Sequence, residues 1–233
     1  MSYAAEVESG LRPVADSDVA TRATFLIKTY NHLLGAVAAF TALEVLFFTT
    51  GIARSMLGAM GKVGWLPLLG GFVLVSWIAN SVAAKSVSKA AQYAALAAYV
   101  LIEAVIFLPL LAIANMKAPG VLASAVAVTA LGFTGLTAIV YMTRKDFSFL
   151  GGLLRFIGFA VLAVIVGAVL FNFTLGTWFT VAMIVFAGGA ILYDTSNVLH
   201  HYPEDRYVSA SLSLFASVML LFWYVLRLFL SRR

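Results

Sequence analysis

Seven apolar runs, each long enough to cross a bilayer, most constrain what this chain can fold into. They lie at approximately 27–50, 65–86, 90–114, 119–142, 149–171, 177–199 and 207–230. A spanning helix needs roughly 20 such residues. Inside lipid every backbone N–H and C=O must be bonded within the protein. The alternating pattern of a membrane barrel is absent, so each run is expected to be a helix. Only 11% of residues are charged and 63% are hydrophobic, too little polar surface to cover a water-soluble core. The expected fold is an all-α polytopic membrane protein, a seven-transmembrane-helix bundle.

The breaks between runs are short and carry charge or turn residues. They include Lys62-Val63-Gly64, Lys85 to Lys89, Asn115 to Gly120, Thr143 to Asp146, Asn172 to Gly176 and His200 to Arg206. Short loops make neighbouring spans antiparallel. Residues 1–22 are polar, with Glu6, Glu8, Asp16 and Asp18, and read as a mobile tail. They lack the basic-then-apolar order of a signal peptide. Residues 23–233 form the expected transmembrane domain.

Basic residues set the expected orientation. With the N-terminus in the cytoplasm, the inner side holds Arg12, Arg22, Lys28, Lys85, Lys89, Arg144, Lys145, Arg155 and Arg206. The outer side holds fewer: Arg54, Lys62, Lys117, Arg232 and Arg233. The last two leave a seventh helix that stops short or re-enters as the alternative topology. The expected location is a multi-pass membrane protein, in the inner membrane if the source is bacterial.

Several function classes drop out. There is no cysteine, which excludes disulfides, thiolate catalysis and cysteine metal sites. His32, His200 and His201 lack the spacing of a zinc site, so neither metal nor cofactor is expected. The net charge of +5 is spread over helix ends rather than gathered in a patch, so nucleic acid is not an expected partner. No nucleophile–base pair, phosphate loop or dinucleotide motif stands out, and the chain does not read as an enzyme.

Function is then sought among polar residues at membrane depth. An acid there is costly and rare unless it pairs, titrates or meets an ion. Asp194 is the foremost, in Ala190-Ile191-Leu192-Tyr193-Asp194-Thr195. Ala187, Ala190 and Asn197 share its helix face, suited to a helix interface or a wet cavity. Glu44 shares a face with Tyr30 and Thr41, and Glu103 with Gln92 and Tyr99. On the last span Ser213, Ser217, Tyr224 and Arg227 form one stripe, either a polar path or packing glue. Arg227 either snorkels to the interface or pairs with Glu44 or Glu103. His200 and His201 either sense pH or sit in a solvated loop. Pro109 should kink the third span. Ala123, Ala127 and Gly135 form a small-residue ladder expected to pack against a neighbour.

Three segments carry a resemblance. Tyr141-Met142-Thr143-Arg144-Lys145-Asp146-Phe147-Ser148-Phe149-Leu150-Gly151-Gly152 resembles the junction of the fourth and fifth spans in the Bax inhibitor-1 family. Ile191-Leu192-Tyr193-Asp194-Thr195 is similar to its sixth-span motif. Ser211-Leu212-Ser213-Leu214-Phe215, continuing to Leu226-Arg227-Leu228-Phe229, is similar to its last span. The resemblance implies a seventh helix at the bundle centre. It also implies a proton-sensitive calcium leak or, as in some bacterial relatives, modulation of a membrane protease. The family leak is attributed to two aspartates that share a proton, one on each of the last two spans. Asp194 matches the first. The second falls at Ser217, where this sequence departs, and Leu220 replaces a neighbouring family asparagine. Arg227 matches the family arginine, and Lys85 is the nearest candidate for a basic residue expected at the inner end of the second span. The expected function is a cation leak, with calcium or protons as permeant ions and a degenerate aspartate pH sensor. The alternative is a membrane-embedded regulator that binds a membrane protease.

Overall fold

The computed structural model describes residues 13–85, 88–117 and 120–231. Among them are eight α-helices: α1 Val19–Thr49, α2 Ile52–Val63, α3 Trp65–Lys85, α4 Lys89–Lys117, α5 Val121–Thr143, α6 Leu150–Leu170, α7 Thr177–His200 and α8 Tyr207–Ser231. All but α2 are long and apolar enough to cross a membrane. The chain is an all-α polytopic membrane protein, as its sequence requires.

The last helix forms the centre. α8 packs against α1, α3, α4, α5 and α7, and its contact with α7 is the most extensive in the bundle. Leu212, Leu214, Phe215 and Leu226 of α8 are fully buried. Aromatic rings lock α1, α4 and α8 together. Phe107 meets Phe40 edge-on with centroids 5.2 Å apart and stacks on Phe222 at 5.5 Å. Lipid is as apolar as a helix side chain, so close packing of this kind holds such a bundle together. α6 lies at the other extreme, with only Gly151 and Ala168 buried.

The first helix begins at Val19, eight residues before the apolar run. The Asp18 carboxylate caps it, accepting from the Thr21 N–H at 2.7 Å. That bond, first among its causes, holds the Asp18 carboxyl below its ordinary value. The described part of the expected tail is docked rather than loose. Val14 is fully buried and its N–H donates to the Tyr202 carbonyl at 2.9 Å. Residues 1–12 of that tail lie outside the described residues.

The first break holds a helix that the apolar count passes over. α2 has 12 residues, too short to span. Gly51 and Gly64 flank it with φ of 79° and 85°, a left-handed backbone that glycine adopts without strain. Met56, Leu57 and Met60 of α2 pack on the core. The small-residue ladder is also corrected. Ala123, Ala127 and Gly135 are exposed, while Val121, Ala125, Thr129 and Val140 form the buried edge of α5. A spanning helix is apolar on its lipid face too, so residue size alone did not tell the faces apart.

The termini of α1, α3, α4, α5, α6, α7 and α8 that meet near Arg22, Lys89, Arg144, Lys145 and Arg206 form one basic face. Pro13 bridges Pro203 there, and Asp146 of the α5–α6 loop meets His201.

Candidate functional site

The polar stripe of α8 faces α7 and its flanking loops along most of its length. At the basic face Ser213 Oγ and the Tyr202 hydroxyl share a hydrogen bond at 2.8 Å. Burial pushes the Tyr202 phenol up to about 12, so it acts there as a neutral hydroxyl. One turn deeper, Ser217 Oγ donates to Asp194 Oδ2. Further along, the Tyr224 ring meets Phe179 edge-on at 6.2 Å. At the opposite end Arg227 donates to the Leu175 carbonyl at 2.9 Å. Antiparallel helices and a repeat of three, four and seven residues place these partners in register.

Asp194 and Ser217 therefore join the two helices that were expected to carry the site. Ala187, on the same face of α7, is fully buried, and a small side chain there lets the helices approach. Ser217 supplies the hydroxyl where the resemblance led one to expect a second carboxylate. A serine hydroxyl donates to a carboxylate without adding negative charge, so the join holds with a single acid.

A cavity of about 780 Å³ approaches this pair from the other side of the bundle. Its walls come from α3, α4, α6, α7 and α8. Arg227, Asn172 and Leu175 line one end, Ser217, Tyr99 and Glu103 the other. No residue of α8 before Ala216 and none of α4 before Tyr99 contributes to the lining. The space thus stops at the level of Ser217, with Asp194 and the Tyr202–Ser213 bond between it and the basic face. The rest of the wall is largely apolar.

Glu103 and Tyr99 complete the inner end. Both are buried on the face of α4 that also buries Gln92. Tyr99 lies within electrostatic reach of both Glu103 and Asp194 and beside Ser76. Tyr99 is the link that sequence reasoning did not single out as a site residue, although its seven- and four-residue spacing to Gln92 and Glu103 was visible.

The other candidates lie elsewhere. Arg227 pairs with neither Glu44 nor Glu103; its guanidinium bonds a backbone carbonyl, and the close contacts between acidic and basic side chains among the described residues are His201–Asp146 and Arg206–Asp205. Glu44 is buried on α1 with both carboxyl oxygens lacking a hydrogen-bond partner. Thr41, expected on its face, is exposed. The Lys85 side chain lies outside the described residues. No cluster of three or more metal-ligating side chains occurs among the described residues.

A second polar cluster sits at the basic face, where α7 ends. His201 Nε2 lies 2.9 Å from Asp146 Oδ2, and Ser196 Oγ donates to Asp146 Oδ1 at 3.2 Å. The Phe147 N–H donates to Ser196 Oγ at 2.8 Å. The Ser148 N–H donates to Asp146 Oδ1 at 2.8 Å. That bond, first among its causes, lowers the Asp146 carboxyl to about 2. The cluster ties the α5–α6 loop to α7 two residues beyond Asp194. Gly151, at the start of α6, adds a close approach: a Cβ there would lie 2.7 Å from the Tyr193 ring.

The sequence pattern described as "Inhibitor of apoptosis-promoting Bax1" matches residues 22–233. The chain is 38% identical over 106 residues to the Escherichia coli protein named Modulator of FtsH protease YccA, covering 44% of this chain and 47% of that one. It is 37% identical over 110 residues to a protein of Pseudomonas aeruginosa, covering 47% and 49%. It is 32% identical over 115 residues to Bax inhibitor 1 of Schizosaccharomyces pombe, covering 46% and 41%. The matched segments thus span about half the length of these relatives. With the family pattern running through all seven spans, the chain belongs to the Bax inhibitor-1 family.

Proposed function

We propose that this protein is a gated leak path for small cations, calcium among them, with the Ser217–Asp194 join as its closure. The observation that carries the reading is the cavity of about 780 Å³ that stops at Ser217, behind which Asp194 bonds the same serine. Parting α7 from α8 at that point would connect the cavity to the basic face. Glu103, Tyr99, Asp194 and Ser217 would then offer oxygen atoms along the way. Calcium prefers six to eight hard oxygen ligands. Two carboxyls and two hydroxyls suit transient passage rather than tight binding. In this reading the basic face is cytoplasmic, by the excess of lysine and arginine there, and the membrane is the inner membrane if the source is bacterial. Asp194 acts as a single-carboxylate pH sensor. Purified protein in liposomes, assayed for calcium and monovalent cation flux across a pH series, tests the proposal. No flux at any pH would end it.

A second reading is modulation of a membrane protease. It is supported by the similarity to the E. coli protein named Modulator of FtsH protease YccA. The polar N-terminal segment is a feature that a protease could engage. Crosslinking and pull-down from native membranes separate the two readings. A protein that conducts cations and keeps no stable partner counts against this one.

A further inference from the structure

A second cavity of about 500 Å³ opens on the basic face, among α1, the start of α4, the α7–α8 loop and the start of α8. Lys28, Lys89, Tyr207, Glu204 and Asp205 line it, with Thr21 and Thr24. It shares no lining residue with the central cavity.

Two cations converge in this pocket. Lys28 Nζ lies 5.2 Å and Lys89 Nζ 4.1 Å from the centroid of the same Tyr207 ring. Lys89 also donates to the Asp205 carbonyl. Neither lysine is in an ion pair among the described residues. The ring attracts both ammonium groups, but it carries no net charge with which to neutralise them. An anion between them would. Asp205, whose carbonyl Lys89 reaches, brings the reverse need into the pocket. Asp205 Oδ1 is buried and accepts no hydrogen bond; its nearest cation is Arg206 Nε at 3.7 Å. The pocket thus gathers two ammonium groups outside any ion pair among the described residues and, beside them, a carboxylate.

Its depth matches the headgroup layer. α1 has 31 residues, which at ~1.5 Å per residue exceeds a hydrocarbon core of ~30 Å, so its first turns rise above the acyl region. Lys28 lies on that rising part. One turn deeper, His32 Nε2 and the Tyr93 hydroxyl are 2.8 Å apart across α1 and α4. Deeper still, Leu34 and Leu101 are 67% and 50% exposed, leaving an apolar surface for acyl chains. Basic pockets between spanning helices on the cytoplasmic side are recurrent headgroup sites.

We propose that this pocket binds a membrane phospholipid whose headgroup joins a phosphate to a primary amine, as in phosphatidylethanolamine. Lys28 and Lys89 hold the phosphate. The amine pairs with the partly exposed Asp205 carboxylate, with Glu204 at the rim. The acyl chains run along the lipid-facing surface of α1 and α4. The bound lipid then ties the amino ends of α1 and α4 to the loop before α8.

The test is lipid retention by full-length protein in neutral detergent, read by native mass spectrometry. Dioleoyl phosphatidylethanolamine, phosphatidylglycerol and phosphatidylcholine are titrated in parallel, with and without millimolar inorganic phosphate. Phosphatidylethanolamine should bind best and resist phosphate. The Lys28→Gln/Lys89→Gln variant should bind more than about tenfold more weakly, since one lost charge-assisted hydrogen bond alone is on that scale. Lys28→Arg/Lys89→Arg should restore binding, which separates lost charge from lost fold. Lys62→Gln/Lys117→Gln, on the opposite face, should bind as wild type. Asp205→Asn should erase the preference for phosphatidylethanolamine over phosphatidylcholine. Retention unchanged by the lysine substitutions overturns the site. Displacement by inorganic phosphate assigns the pocket to the free anion and overturns the lipid. A preference for phosphatidylglycerol overturns the amine.

Discussion

Ser217 donates its hydroxyl hydrogen to the carboxylate of Asp194, joining the central helix α8 to α7 where the main cavity ends. In the two-aspartate arrangement that the family resemblance implies, a shared proton would make this connection. Here one partner is a hydroxyl. The join therefore needs no shared proton, and Ser217→Asp should create the missing coupling. Two nearby carboxylates titrate as a pair. The variant's cation flux should depend more steeply on pH than that of the wild type. Equal pH profiles would show that this pair does not set the pH response.

Gly151 leaves no room for a side chain unless the Tyr193 ring moves. A Cβ would lie 2.7 Å from Tyr193 Cε2 and 3.0 Å from its hydroxyl oxygen. The atoms in the way are the far end of the Tyr193 ring, which must turn aside to admit the methyl group. Gly151→Ala should destabilise by about 1–3 kcal/mol, the usual cost of overpacking. Gly152→Ala, where the added atom meets open space, should not. Thermal unfolding in detergent compares the two; equal midpoints would contradict the close approach.

The Asp146 cluster predicts a defined acid response. Its carboxyl titrates at about 2, below its ordinary 3.8, chiefly through the Ser148 N–H bond. A depressed acid stabilises the fold fully above the ordinary value and ceases to do so as pH falls through about 2. Asp146→Asn should therefore unfold at lower temperature than wild type at pH 5, with the gap closing between pH 4 and pH 2. A gap independent of pH would assign the effect to packing. The group is half-exposed, so the shift in midpoint should be small.

The seven spans were legible because lipid imposes one demand, a long apolar run, and every run met it. Elements that answer to other demands were not. The early start of α1 rests on the Asp18 cap and on polar residues that are helical outside the bilayer. α2 is too short for the apolar count to find. Asp194 stood out as an acid at depth, and the stripe from Ser213 to Arg227 was visible as spacing. The partners on α7 were not, because the antiparallel register of two helices follows from packing along their whole length. Arg227 shows the limit most clearly. A charged side chain suggests a charged partner, and here the partner is the Leu175 backbone carbonyl, which no residue type announces.

Glu44 separates stability from function. Both its oxygens are buried without a hydrogen-bond partner. A buried polar group of this kind costs about 1–3 kcal/mol. Glu44→Leu should raise the unfolding temperature. Unchanged flux would leave Glu44 outside the path, and reduced flux in the more stable protein would place it within.

The central claim is that the Ser217–Asp194 join closes a cation path. Its most direct measurement is calcium flux in liposomes for wild type, Ser217→Ala, Asp194→Asn and Lys62→Gln at matched protein density. Removing the hydroxyl leaves the join without its donor, so Ser217→Ala should conduct several-fold faster, on the scale of one lost hydrogen bond. Asp194→Asn should also differ from wild type, while Lys62→Gln should match it. Four indistinguishable fluxes, or none above protein-free liposomes at any pH, would contradict the account.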